Sequence, residues 1–200
     1  MQSENPKHNL QMTVYASLFA ALISAGAYLA IPIGPVPIAL QSLFVLLAGL
    51  VLGSRWGLAA VGIYLLAGAI GLPVFAGGTG GIGRFIGPTG GYLLSYLPAV
   101  FLIGTISEQS NDKVLFAVFA MICGSTVVYA FGVSWLKAMT GMDWTKAVSV
   151  GMLPFLIGDV IKIAVAVPIA RTLRTVIAEK RFQVSEIPCP VSEKYVFVKK

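Results

Sequence analysis

Six apolar runs divide the chain, at 12–31, 38–52, 56–70, 92–106, 114–136 and 148–170, separated by short segments bearing glycine, proline or charge. Within each run the apolar residues are nearly continuous, the pattern of a helix enclosed by lipid or protein on every side. Crossing a hydrocarbon core of roughly 30 Å takes about 20 residues, so the pattern predicts an all-α integral membrane protein of six transmembrane helices. The second and third runs hold 15 residues each. At about 1.5 Å per residue they are short for a crossing, and must borrow flanking residues or stand with little tilt. The first run carries Ala25-Gly26-Ala27, which looks like a signal-peptide cleavage site. Its length and its uncleaved polar lead fit a span better than an h-region of about 7–15 residues. The expected division is a polar lead over 1–11, a six-helix bundle over 12–171 and a basic tail over 172–200.

Composition sharpens this reading. Hydrophobic residues make up 57% of the 200 positions and charged residues 11%, against about 25% charged in an ordinary soluble domain. A soluble globular protein is excluded, and no stretch is long enough for a separate nucleotide-binding domain of about 100–200 residues. Energy for any transport must therefore come from an ion gradient or a partner chain. The net charge of +6 is concentrated at the end, with seven of the 14 basic residues at or after Arg171. With the N-terminus inside, the inner segments carry Lys7, Arg55, Lys113 and those seven, whereas the outer loops carry Arg84, Lys137 and Lys146. The excess of inner lysine and arginine predicts both termini in the cytoplasm, with the tail meeting anionic lipid and not nucleic acid.

Two outer connections are unusual. Ile31–Pro37 holds three prolines and should form a stiff, extended corner. Residues 71–91 include nine glycines in 21 positions, together with Phe75 and Phe85. An apolar glycine segment of this kind is expected to fold back into the bundle over a cavity, because irregular backbone at membrane depth survives only where protein or a cavity surrounds it.

Catalytic readings fail quickly, and an enzyme is not expected. His8, the one histidine, lies in the polar lead, no P-loop is present, and Cys123 and Cys189 form no metal set. Gly78–Gly83 matches G-x-G-x-x-G in letters but follows no strand. Asp159 and Lys162 are the sharpest signal: both lie mid-run, three residues apart and hence on one helical face. Charges at such depth cost about 2.5–3.5 kcal/mol each on insertion scales. They either neutralise each other as an intrahelical pair or form the wall of a ligand site. As a site, one acceptor beside one donor suits a planar amide or urea. Arg84, the one charge in the glycine segment, either reaches toward lipid phosphate or anchors a ligand carboxylate. Gln41 brings a buried amide that bonds a neighbouring helix or a ligand, and Tyr64, Phe75, Phe85 and Tyr92 are candidate walls. On the first span, Ala16/Ala20 and Ala21/Ala25 are small-x-x-x-small pairs, suited to close helix packing within the bundle or against a partner.

Several joined motifs carry a family resemblance: Gly34–Pro37 followed by Gln41, Gly71–Gly78, Gly87–Tyr92, and Gly158-Asp159-x-x-Lys162. Together they resemble the BioY family, the biotin-binding S components of energy-coupling factor transporters, over nearly all of Ala16–Arg171. The resemblance implies a membrane protein that takes biotin from outside as transported ligand, with no cofactor of its own. It implies docking on a membrane T component driven by two cytoplasmic ATPases, through an Ala-x-x-x-Ala contact that maps to Ala16 and Ala20, and inward transfer by tilting of the whole bundle. Asp159 would then meet the ureido N–H groups and Lys162 the ureido oxygen, with Gln41, Phe75, Thr79 and Tyr92 also contacting the ligand. Thr79 and Leu93 stand where relatives can carry Asn and a basic residue, which hands the valerate carboxylate to Arg84. The rival readings are a self-sufficient, proton-coupled secondary transporter of a small carboxylate, with Asp159 titrating, and a structural membrane subunit.

Overall fold

The computed structural model describes residues 6–31, 36–109 and 114–185. The described residues are helical apart from a two-residue antiparallel pair and irregular connections. In order they form α1 (Pro6–Tyr28), β1 (Ala30–Ile31), β2 (Ile38–Ala39), α2 (Gln41–Ala69), α3 (Gly83–Ile86), α4 (Gly90–Gln109), α5 (Val114–Thr140), α6 (Trp144–Gly151) and α7 (Leu153–Ser185). Among the described residues, five helices, with α6 and α7 taken together, are long and apolar enough to cross a membrane.

Helix α2 contains both the second and the third apolar runs. Its helical dihedrals break at Gly53, where φ is +80° and ψ −173°, a region open essentially to glycine. The chain reverses there. The Tyr64 hydroxyl reaches Oε1 of Gln41 at 3.3 Å, although 23 residues of straight helix would separate them by about 35 Å. The arms 41–52 and 54–69 thus lie side by side, which gives six helical passes with no loop between the second and third. Gly49 and Gly57 let the arms approach each other and α4; a Cβ on either would lie 2.9 Å from Ile103 or Val100.

Breaking a helix exposes backbone groups that need other partners, and two neighbouring helices supply them. The Ser54 amide, which would otherwise bond the Leu50 carbonyl, donates to Oε1 of Glu108 at 2.7 Å. The Ser54 hydroxyl donates to both oxygens of the same carboxylate, at 3.0 and 3.1 Å. The Leu50 carbonyl accepts from Nε of Arg174 at 2.7 Å. Helices α4 and α7 are thereby pinned to the turn.

Hydropathy located the apolar stretches but not the helix ends. Helix α1 begins at Pro6, inside the polar lead, with proline at the first helical position. Helix α7 runs to Ser185, past Arg171, through a stretch that holds neither glycine nor proline to end it. The last apolar run is interrupted at Met152, whose φ/ψ of −130° and −52° separates α6 from α7. The proline corner falls partly on 32–35, outside the described residues; around it Ala30 pairs with Ala39 and Ile31 with Ile38.

The core forms where α1, α4 and α7 pack on α2 and α5 packs on α4, with Ile23, Val45, Leu50, Val100, Ile103 and Met121 fully enclosed. One end of the bundle holds the Gly53 turn. At the other, the Tyr28 hydroxyl donates to the Pro73 carbonyl and Nε1 of Trp135 donates to the Gly87 carbonyl at 3.0 Å, so the glycine segment caps that end.

Candidate functional site

Because the central arm begins only at Gln41, a cavity remains above it, mostly apolar with a few convergent polar groups, the composition usual in small-molecule sites. Gln41, Ser42, Val45 and Leu46, the first turns of the arm, line its floor. The Gln41 amide is held on both sides: Nε2 donates to the Tyr96 hydroxyl at 2.9 Å and Oε1 accepts from Tyr64 at 3.3 Å. All three side chains are buried, and fixing them this way removes the penalty of a loose buried amide.

Helix α7 supplies one wall. Asp159 and Lys162 are 9% and 6% exposed and both line the cavity. Nζ of Lys162 donates to Oδ1 of Asp159 at 3.2 Å and to the Ser42 hydroxyl at 2.8 Å. The second carboxylate oxygen accepts from the Tyr129 hydroxyl of α5. The pair is thus an intrahelical ion pair and a polar wall at once. A carboxylate has about four acceptor positions and an ammonium three donors, so each group keeps capacity for a ligand after these bonds.

The glycine segment and the start of α4 supply the roof. Residues 75–79 close a tight turn in which the Phe75 amide donates to the Thr79 carbonyl at 2.9 Å. This sends the Phe75 ring inward, edge-on to Tyr64 and Phe85 with centroids 5.5 Å apart in each case. The ring lies over Gly68 and leaves no space for a Cβ there. Phe75, Ala76, Arg84, Thr89, Tyr92 and Leu93 line the cavity from this side. Arg84, on the single-turn α3, is half-buried. Tyr92 donates to the Gly151 carbonyl at 2.8 Å and stacks on Phe155, tying α4 to the junction of α6 and α7.

Of the candidates, Gln41, Phe75, Arg84, Tyr92, Asp159 and Lys162 converge on one cavity. Thr79 does not line it; its hydroxyl donates to the Ala76 carbonyl at 3.0 Å and shapes the turn. Ala16 and Ala20 are 1% and 5% exposed, in the core that α1 forms with α2. Of the two uses their spacing allows, they make close packing of α1 inside its own bundle. The outward side of the same helix carries Ser17, Ala21 and Ala25. Sequence reasoning missed Ser42, Tyr96 and Tyr129. Their one available signal was a hydroxyl at membrane depth, which in a tyrosine or serine needs no site to explain it.

The comparisons agree with this architecture. The family model for the BioY family matches residues 1–179. The chain is 41% identical over 171 residues to a biotin transporter BioY of Thermotoga maritima, covering 86% of this chain and 100% of that protein. It is 46% identical over 171 residues to a biotin transporter BioY of Rhizobium etli, covering 80% and 91%. A crystal structure of the S-component for biotin from an ECF-type ABC transporter superposes with a TM-score of 0.79 at 33% identity, covering 86% of this chain and 95% of that one. In sequence, in relatives and in fold, this multi-pass membrane protein belongs to the BioY family.

Proposed function

We propose that this chain is the biotin-capturing S component of an energy-coupling factor transporter. The observation that carries the reading is the shared wall of Asp159 and Lys162, an acceptor and a donor side by side in one cavity. A ureido ring offers the complementary set: two N–H groups for Asp159 and one carbonyl for Lys162. Phe75 and Tyr92 sandwich the apolar remainder, and Arg84, on the roof, meets the carboxylate of the valerate tail. The roof end faces outward, as the excess of inner lysine and arginine requires.

Powering falls to a membrane T component and two cytoplasmic ATPases. With Ala16 and Ala20 inside the core, the helix face left for the T component is the outward stripe of Ser17, Ala21 and Ala25. The bonds of Asp159 to Lys162 and Tyr129 favour a fixed ligand wall over a proton-coupled secondary transporter.

The test is calorimetric titration of ligand-stripped protein in detergent with biotin, for wild type and Asp159→Asn. Binding by wild type that the substitution abolishes is the expected result. A folded wild type that binds no biotin would overturn the assignment, and the effect of an uncoupler on uptake at constant ATP would then decide for proton coupling.

A further inference from the structure

A second concavity lies on the outside of the bundle, against the wall of the first. It is a groove of about 520 Å³ between α5 and the α6–α7 pair, lined by Ala130 and Val133 of α5, Trp144 of α6, and Leu156 and Val160 of α7. Ser125, Tyr129 and Asp159 line both the groove and the cavity, so the thickness of one hydrogen-bonded contact separates them. The polar atoms of that contact are turned to each other, Tyr129 to Asp159 and Asp159 to Lys162. The face presented to the groove is accordingly apolar.

Three observations say what fills it. On α5 the lining runs from Ile122 to Ser134, about 18 Å at 1.5 Å per residue. That is close to the roughly 15 Å depth of one leaflet of a 30 Å hydrocarbon core. Val160 and the neighbouring Ile157 and Ile161 are strongly exposed beside it, which makes the groove continuous with the bilayer. At its capped end, Nζ of Lys137 lies 4.4 Å from the centroid of the Trp144 ring, an aromatic and a cation of the kind that settle at headgroup level. Lys137 and Lys146 outnumber Asp143 there, leaving the mouth net positive and suited to a phosphate.

We propose that this groove is a binding site for one anionic phospholipid, its acyl chain along α5 and its phosphate at Lys137, sealing the Tyr129–Asp159 wall from the bilayer. The inference needs only that the chain sits in a membrane and is independent of the cargo.

Native mass spectrometry of the delipidated protein titrated with phosphatidylglycerol or phosphatidylcholine tests it. Wild type should retain one phospholipid under activation that strips the rest, preferring phosphatidylglycerol about fivefold. Ala130→Trp and Val160→Trp, exposed positions that fill the groove from either side, should each lose it. Leu115→Trp, on a lipid-facing part of α5 away from the groove, should keep it, and Lys137→Gln should keep the lipid but lose the headgroup preference. Retention undiminished in both groove-filling variants, or equal retention of the two headgroups by wild type, would overturn the proposal. A dimer that Ala130→Trp dissolves would also overturn it, by assigning the groove to a second copy of this chain.

Discussion

Asp159 has two kinds of neighbour, and they give separable effects. Tyr129→Phe removes the donor to one carboxylate oxygen while leaving the ring in place. The loss of one charge-assisted bond to a buried carboxylate amounts to about 1.5–3 kcal/mol, so biotin binding by calorimetry should change by more than tenfold, with the thermal midpoint lowered. Arg84→Gln gives a different signature. Affinity for biotin should fall, whereas affinity for biotin methyl ester, which lacks the anion, should be the same in wild type and variant. An equal fall for both ligands would place Arg84 in a structural role. At this scale the charged residues were legible, because Asp159, Lys162 and Arg84 stand alone in apolar surroundings where ionisation is costly. Tyr129 and Ser42 were not, since a hydroxyl in such surroundings is cheap. Spacing also left Ala16 and Ala21 undistinguished: both start small-x-x-x-small pairs, and at about 100° per residue they lie some 140° apart on the helix. Only the packed bundle says which of them faces α2.

Among the elements, the α2 turn is the most demanding. Gly53→Ala places a side chain in a backbone region that costs about 1–3 kcal/mol and against the Glu108 carboxylate. Its unfolding temperature in detergent should drop measurably. Glu108→Gln should drop it less, because the amide oxygen still accepts from the Ser54 backbone. The two runs that form this hairpin were readable as two helices, and their shortness was readable too. The loop-free reversal was not, because a glycine spaced four residues from Gly49 and Gly57 looks like one more packing glycine. Similarly, the run at 148–170 carried no sign that its first turn belongs to α6. Hydropathy is blind to a one-residue break that keeps both sides apolar.

For the whole molecule, the two faces of α1 give opposite expectations. Ala21→Leu with Ala25→Leu should block assembly with the T component, read by co-purification, while biotin binding stays intact. Ala16→Leu with Ala20→Leu should overpack the core, where added methylenes cost about 1–3 kcal/mol each site, and depress expression and binding together. If the outward pair leaves assembly untouched, the partner docks elsewhere.

The first arm of α2 is short, and it is central. Its 12 residues, 41–52, rise about 18 Å, and from Val45 to Leu52 all but Val51 are buried among the surrounding helices. The cargo chamber occupies the membrane depth that the missing turns would have filled, and the arm fills the rest as a close-packed plug. No through-pore is available along the axis of such a protein. Opening the roof exposes the chamber to one side only, and reaching the other side requires either extruding a buried helix or carrying the chamber itself across. A bundle so built cannot leak its cargo or a passing ion down a gradient, however often its roof opens.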